Sequence, residues 1–201
     1  MYKRRLIAWT AIGARTSESQ THREMASGLS TPVGFKNATD GDLEVAINAI
    51  LSAGSPHSFL GINSQGQSAV TRTRGNRYGH VILRGGKQPN YSAADIAATC
   101  ALLQSAGLRA QVMVDVSHAN SSKEYERQIG VAQDVAGQVA AGDSRIIGLM
   151  VESHLQAGRQ DIVAGKPLAP GVSVTDACIS MEQTIPVLQE LAAAVRTRRA
   201  R

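Results

Sequence analysis

Aromatic residues and cysteines are both scarce in this chain of 201 residues. Phe, Trp and Tyr together make up 3% of the sequence, which leaves few platforms on which nucleic-acid bases stack. The two cysteines, Cys100 and Cys178, are far apart and form no Cys-x-x-Cys motif. We expect both to be free thiols in a reducing cytoplasm.

Long apolar runs are also missing. No run approaches the roughly 20 residues that a helix needs to cross a bilayer, and the apolar stretch after Lys3, Arg4 and Arg5 is too short for a signal peptide. The net charge of +5 is partly carried by four arginines after position 195, which we interpret as a solvated helix end. We therefore predict a cytoplasmic protein that binds neither a membrane nor nucleic acid.

What the chain does contain is a repeated pattern of strand-like runs that end at ionisable residues. Its content of 43% hydrophobic and 18% charged residues is typical of one globular domain, here residues 1–201. The apolar runs are residues 11–14, 33–35, 80–83, 111–114 and 147–151. They lead into Arg15, Lys36, Arg84, Asp115 followed by His118, and Glu152, in that order. A helix-like segment follows each run, which predicts an α/β fold built from five units of a (β/α)8 barrel.

Local signals place helices and one insertion in this framework. Capping-box spacing at Ser92 with Asp95, and at Ser121 with Glu124, predicts two helix starts. Pro186 predicts that the last helix begins near residue 187, because proline fits only the first turn of a helix. Residues 57–73 read as two strands around Gln65-Gly66, a β-hairpin inserted between the second and third barrel strands.

Three residues late in the chain have the chemistry of a metal site. One imidazole and two carboxylates, from His118, Glu152 and Asp176, suit a divalent transition metal. The alternative to metal binding is that His118 is a loop histidine and that Asp176 caps the segment that follows it. His154 is a rival ligand, because two residues along a strand bring its side chain to the same face as Glu152. Asp115 is a candidate partner that orients a ring or a lysine.

The basic strand ends predict an anionic substrate. Arg15, Lys36 and Arg84 would place three positive charges in one barrel mouth, and arginine binds phosphate or carboxylate in a bidentate manner. The Gly85-Gly86 pair after Arg84 leaves bare backbone for close approach to a phosphate. The alternative is that each cation pairs with a carboxylate of the protein.

Six ordered motifs resemble the class I 3-deoxy-D-arabino-heptulosonate-7-phosphate (DAHP) synthases over essentially the whole chain. The motifs are Gly13-Ala14-Arg15-Thr16, Gly34-Phe35-Lys36-Asn37, Leu83-Arg84-Gly85-Gly86-Lys87 with Pro89-Asn90-Tyr91-Ser92, Ser117-His118-Ala119-Asn120-Ser121-Ser122-Lys123, Val151-Glu152-Ser153-His154 and Thr175-Asp176-Ala177-Cys178. The resemblance implies a TIM barrel that depends on a divalent metal, Mn, Fe or Co. It also implies an aldol-like condensation of phosphoenolpyruvate with erythrose 4-phosphate in the shikimate pathway.

The resemblance also implies residue roles. Phosphoenolpyruvate would be bound by Arg15, Lys36, Arg84 and His118, with Lys36 and His118 as catalytic residues. The metal ligands would be His118, Glu152 and Asp176.

A feedback site for an aromatic amino acid is implied as well. Ser30, Phe59 and Gly61 match positions that line the family's inhibitor pocket. The segment Phe59-Leu60-Gly61-Ile62-Asn63 is more similar to the tyrosine-inhibited branch than to the phenylalanine-inhibited one.

The chain departs from the family at its amino terminus. We expect it to begin in the helix that leads into the fourth barrel strand, so the first three βα units would be absent. Their loss would remove a cysteine metal ligand and a Lys-Pro-Arg-Thr segment that grips both substrates. One interpretation is a synthase chain that is inactive alone and joins copies of itself or a complementing amino-terminal chain. The other is a non-catalytic remnant or interaction subunit of a synthase.

Overall fold

A five-stranded parallel sheet organises this molecule. Residues 8–201, which the computed structural model describes, contain nine strands, β1 to β9. They span Thr10–Ile12, Val33–Lys36, Ser58–Ile62, Ser68–Arg72, Gly79–Leu83, Val112–Asp115, Ile146–Met150, Ser153–His154 and Ile179–Ser180. The large sheet has the order β1-β2-β5-β6-β7, and every pair in it is parallel. Apart from β3 and β4, which lie between β2 and β5, neighbours in the sheet follow one another along the chain, with helices in the connections.

Five helices connect or follow these strands. They are α1 Gln20–Ser27, α2 Glu44–Gly54, α3 Ala93–Ser105, α4 Gln128–Ala140 and α5 Met181–Arg199. None of the helices within residues 8–201 combines the length and apolar character that a membrane crossing requires. The helix expected ahead of the first strand falls before residue 8 and lies outside the described residues.

The two faces of the sheet have different partners. Phe35, Val81 and Val114 belong to the main apolar cluster, which the strands share with buried residues of the helices. Side chains at alternate positions point to the opposite face, where a Cβ atom at Gly34 would overlap Ile82 and lie 2.8 Å from Nε2 of His80. Lys36 and Arg84 follow Gly34 and Ile82 on that face by two residues. The face opposite the apolar cluster thus carries Lys36 and Arg84 toward the carboxyl ends of the strands.

The segment between α2 and β5 forms an antiparallel hairpin. β3 and β4 pair with Leu60 opposite Val70, and Gly66 adopts a φ of 81° in the connecting turn. The base of the hairpin is fixed because the Thr73 hydroxyl accepts from the His57 backbone N–H at 2.9 Å. The hairpin is therefore anchored beside the main sheet without extending it.

Helix starts were predicted with mixed success. The capping box at Ser92 and Asp95 is confirmed. The one predicted at Ser121 and Glu124 is wrong: a 3-10 turn spans Tyr125–Arg127, and the Ser121 hydroxyl donates to the His118 carbonyl instead.

The start predicted for the last helix is also wrong. Helix α5 begins at Met181 and contains Pro186 in its second turn. Ser180 and Gln183 form a capping box there, and this cap starts the helix ahead of the proline.

Candidate metal and anion site

One cavity collects all six residues predicted to carry chemistry. It has a volume of about 870 Å³ and lies where the loops after the parallel strands meet. The predicted residues that line it are Arg15, Lys36, Arg84, His118, Glu152 and Asp176. Because parallel strands bring their carboxyl ends to one edge of the sheet, residues 161 positions apart in sequence share this cavity.

Three of these residues are close enough to bind one ion. His118, Glu152 and Asp176 each offer a ligand atom, and these three atoms lie within 4.8 Å of one another. Nε2 of His118 is 3.7 Å from Oε1 of Glu152. One imidazole nitrogen and two carboxylate oxygens are a donor set that suits Mn, Fe, Co or Zn. The donor chemistry and the spacing both fit a divalent transition metal.

The rival ligand His154 lies apart from this group. Its side chain is exposed, and its Nδ1 accepts a hydrogen bond from the Leu155 backbone at 2.8 Å. The strand that carries it, β8, pairs with β9.

Asp115 connects the predicted metal and anion residues. Its side chain is fully buried, and Oδ2 lies 2.7 Å from Nζ of Lys36 and 2.9 Å from Nδ1 of His118. Burial alone would raise the pKa of Asp115, but the hydrogen bond from His118 and the charge of Lys36 outweigh it, so the pKa falls well below its usual range. Asp115 is therefore an anion that fixes both side chains, as predicted for a partner of the ring or the lysine.

The backbone around His118 is held in an unusual shape. His118 has a φ of 53°, and Ser122 and Lys123 also have positive φ values, 55° and 62°. The Ser117 hydroxyl donates to Oδ1 of Asp115 at 2.7 Å, and the Lys123 N–H donates to the His118 carbonyl at 2.7 Å. Left-handed conformations cost energy in residues with a Cβ. The hydrogen bonds thus hold this segment in its left-handed conformation, with His118 at the cavity.

Glu152 is positioned through its backbone by a glutamine. Oε1 of Gln128 accepts from the Glu152 N–H at 2.8 Å, and Nε2 of Gln128 donates to the Glu152 carbonyl at 3.2 Å. Burial raises the pKa of Glu152, the charge of His118 opposes that rise, and the charge of Asp176 reinforces it. A bound cation would stabilise the ionised form of a carboxylate whose pKa is raised in this way.

Arg84 is a largely buried residue without a carboxylate partner in the described part of the chain. The residue is 8% exposed and lines the cavity. Lys36 pairs with Asp115, but no carboxylate of residues 8–201 approaches the Arg84 guanidinium within 4 Å. A buried charge without a partner is costly. The alternative that each cation pairs with its own carboxylate does not hold for Arg84, and an anion from outside the protein is the natural complement.

The sequence analysis missed four amide side chains, three of them buried, that hold this site. Gln128, Asn37 and Asn120 are 1%, 0% and 3% exposed, and Asn90 is half-buried beside them. Asn37 directly follows a strand, and Asn120 lies two residues past His118. A polar residue directly after a buried strand indicates a candidate site residue. The sequence analysis applied this criterion to charged residues only.

The residues predicted to line an inhibitor pocket lie away from the cavity. Phe59 and Gly61 share one face of β3, because they are two residues apart, and both are half-buried. Ser30 is exposed in the connection between α1 and β2.

The fold and the cavity together describe an α/β protein with a candidate metal and anion site at the carboxyl ends of parallel strands. The family model of the DAHP synthetase I family matches residues 2–189. This chain belongs to that family.

Named relatives and a solved structure are similar over nearly the whole chain. It is 58% identical over 194 residues to the "Phospho-2-dehydro-3-deoxyheptonate aldolase, Phe-sensitive" of Escherichia coli K12, covering 96% of this chain and 55% of that protein. The Tyr-sensitive enzyme of Salmonella typhimurium LT2 is 57% identical over 187 residues, which cover 92% of this chain and 52% of the relative.

The solved structure of the Francisella tularensis SCHU S4 phospho-2-dehydro-3-deoxyheptonate aldolase superposes with a TM-score of 0.90 at 50% identity, covering 96% of this chain and 56% of that one. The chain thus spans about half the length of the curated relatives it matches.

Proposed function

We propose that this chain forms the fourth to eighth βα units of a metal-dependent DAHP synthase barrel. Such a protein condenses phosphoenolpyruvate with erythrose 4-phosphate. Support comes from family membership and from a parallel sheet of five strands, where a closed barrel has eight. The observation that carries the proposal is one cavity lined both by Arg84, which has no carboxylate partner within residues 8–201, and by the group His118, Glu152 and Asp176.

Phosphoenolpyruvate is the anion we assign to the cationic side of the cavity. Arg84 and Arg15 present guanidinium groups that bind phosphate or carboxylate oxygens in pairs. Lys36 adds a positive charge fixed by Asp115. A carboxylate and a phosphate on one small molecule need this many cations in one place.

The metal side of the cavity would hold Mn, Fe or Co on His118, Glu152 and Asp176. When bound, the metal supplies a Lewis acid that polarises the aldehyde of erythrose 4-phosphate. Lys36 and His118 are the catalytic residues in this proposal, because both contact Asp115 and both face the substrate cavity.

The reaction forms one carbon–carbon bond and releases inorganic phosphate. The methylene carbon of phosphoenolpyruvate bonds to the aldehyde carbon, water adds at the carbon that bears the phosphate, and the phosphate leaves. Arg84 and Lys36 stabilise the negative charge of the phosphate and carboxylate through these steps.

A turnover assay tests the activity. Phosphoenolpyruvate consumption is measured with erythrose 4-phosphate and Mn²⁺, first for the chain alone and then with a polypeptide that supplies a relative's first three βα units. We expect no turnover alone and measurable turnover for the mixture. Turnover by the isolated chain would contradict the need for the remaining units, and no turnover in a folded mixture would contradict the function.

Metal uptake tests the ligand assignment without any turnover. Mn²⁺ binding is measured by calorimetry for the wild type and for His118→Ala, with His22→Ala as the control on helix α1. We expect uptake to fall at least tenfold in His118→Ala only. Equal uptake by all three proteins would overturn the assignment.

We further propose tyrosine as a feedback effector at Ser30, Phe59 and Gly61, in a protein that forms homo-oligomers. Two relatives at nearly equal identity are named for sensitivity to different amino acids, so binding must be compared directly. Tyrosine is expected to bind more tightly than phenylalanine and to lose affinity in Phe59→Ala. Tighter binding of phenylalanine would reverse the assignment.

We also propose a cytoplasmic location, which the chemistry of the thiols supports. Cys100 and Cys178 are both buried and unpaired, as expected in the reducing cytoplasm, where we place the protein.

A further inference from the structure

Three asparagines surround the turn that carries Arg84. We infer that Asn37, Asn90 and Asn120 are positioning residues that hold the Arg84–Gly86 turn in the shape that binds an anion. This inference rests on the proposed function, because the anion it concerns is the phosphate or carboxylate of the substrate.

Side-chain oxygens of two asparagines accept hydrogen bonds from the turn itself. Oδ1 of Asn37 accepts from the Arg84 N–H at 2.9 Å, and Oδ1 of Asn90 accepts from the Gly85 N–H at 2.7 Å. Nδ2 of Asn37 donates back to the Gly85 carbonyl at 3.0 Å. The amides of Arg84 and Gly85 and the Gly85 carbonyl are therefore fixed by side chains from outside the strand ladder.

The third asparagine ties this turn to the next strand. Oδ1 of Asn120 accepts from the Asn90 N–H at 2.9 Å. Nδ2 of Asn120 donates to the carbonyls of Leu83 and Asp115 at 3.1 and 2.8 Å. Asn120 thus joins the end of β5 to the end of β6, the strand that leads to His118. The anion side and the metal side of the cavity share one buried amide.

Close packing leaves the turn little freedom. Gly85 has a φ of 74°, and a Cβ there would lie 2.7 Å from Cβ of Ala119 and 2.9 Å from Oδ1 of Asn120. A Cβ at Gly86 would overlap the backbone of Gly41. The two glycines are therefore required by a backbone that passes between two other segments, and the asparagines select one position within that gap.

The position of the Arg84 side chain is expected to depend on this backbone turn. Arg84 is 8% exposed and makes no ion pair within residues 8–201, so no carboxylate of the described residues fixes its charge, and the position of the charge depends on the backbone turn. A displacement of about 1 Å at a binding group is enough to cost a large factor in binding or rate. We expect the loss of one asparagine oxygen to misplace the charge rather than to unfold the chain.

The decisive variant is Asn90→Leu, which keeps the side-chain size and removes the acceptor for Gly85. Asn63→Leu is the control, because Asn63 makes comparable bonds to backbone amides in the exposed hairpin turn. Three quantities are measured on the full chain: amide hydrogen exchange at Gly85, the Kd for phosphoenolpyruvate, and the Kd for Mn²⁺.

We expect faster exchange at Gly85 and an approximately tenfold weaker Kd for phosphoenolpyruvate in Asn90→Leu, the size expected for one lost buried hydrogen bond. The Kd for Mn²⁺ should stay within about twofold, and Asn63→Leu should change neither constant. In an Arg84→Met background, Asn90→Leu should add little further loss, because both changes act on the same charge.

A fully additive loss in the double variant, or equal losses for the anion and the metal, would mean a general structural role and would overturn the inference. An unchanged Kd for phosphoenolpyruvate with a freed Gly85 amide would overturn it too. If the wild type binds no phosphoenolpyruvate, either alone or with the complementing polypeptide, the proposed function fails. The exchange rate at Gly85 would then still decide whether Asn90 holds the turn.

Discussion

Nζ of Lys36 lies 2.7 Å from the Oδ2 atom of Asp115, and the same oxygen lies 2.9 Å from Nδ1 of His118. One buried carboxylate therefore joins a cation of the proposed phosphoenolpyruvate site to a proposed metal ligand. Because Lys36 and His118 share one anion, a change at Asp115 is expected to affect both halves of the cavity.

Asp115→Asn removes this shared charge with little change in shape. We expect Mn²⁺ affinity to fall about 10- to 100-fold, as is typical when the partner of a metal-ligating histidine is lost. Calorimetry on the full chain gives the measurement. Asp143→Asn is the matched control, since Asp143 pairs with Arg145 outside the cavity, and it should bind Mn²⁺ like the wild type. Unchanged affinity in Asp115→Asn would show that His118 is oriented by other contacts.

Gln128→Leu tests whether the backbone of Glu152 must be held in place. The change removes both hydrogen bonds to Glu152 and should weaken Mn²⁺ binding by about tenfold, in line with the loss of buried polar contacts. Gln138→Leu is the control on the same helix, because Gln138 bonds to the Tyr91 carbonyl and Asp134 instead. A similar loss of Mn²⁺ affinity in both variants would indicate damage to α4 rather than to the site.

Gly34→Ala is expected to destabilise the sheet. The added Cβ would overlap Cδ1 of Ile82, and overpacking of this kind costs about 1–3 kcal/mol in the free energy of unfolding. Urea denaturation gives the measurement. The same substitution at Gly137, where a Cβ meets no other atom within 4 Å, should stabilise helix α4 by about 0.5–1 kcal/mol. Two variants with equal stability would contradict the packing argument.

His80 is expected to make stability depend on pH. Burial lowers its pKa below the ordinary value near 6.5, with partial opposition from its bond to the Tyr78 carbonyl. The unfolded chain therefore binds the proton more readily, so stability is highest above about pH 6.5 and declines as pH falls through the lowered pKa. Urea midpoints at several pH values should show this slope, and His80→Gln should flatten it.

The fluorescence of Trp9, the chain's one tryptophan, should change when His80 is protonated. Its indole N–H donates to Nε2 of His80 at 3.1 Å, and a protonated ring cannot accept that bond. His57→Gln is the control. If its pH profile flattened as much as that of His80→Gln, the assignment to His80 would be wrong.

Sequence patterns predicted the parts of this fold that depend on local chemistry. The strand ends at Lys36 and Arg84 and the capping box at Ser92 follow from residues within a few positions of one another. Ser121 and Glu124 have equally good spacing for a cap. The Ser121 hydroxyl instead donates to the His118 carbonyl, within the turn that positions His118. The helix start predicted from Pro186 is wrong for a similar reason, because the capping box at Ser180 begins the helix earlier.

The asparagine network shows what such patterns cannot supply. Asn37 and Asn90 meet at the turn after β5 although 53 positions separate them. Nothing in the residues near either asparagine specifies this meeting. It depends on the order of strands in the sheet, which brings the loops after β2 and β5 together. Charged residues at strand ends are the stronger signal, because burying an unpaired charge costs far more than burying an unpaired amide.

Strand β1 offers only three residues to any neighbour beyond β2. So short an edge supplies few backbone hydrogen bonds, which discourages accidental pairing with other chains. A complementing chain that adds its strands here would gain little affinity from the backbone alone. Reconstituted activity should therefore fall faster than linearly on dilution, and a covalent linker between the two chains should remove that dependence.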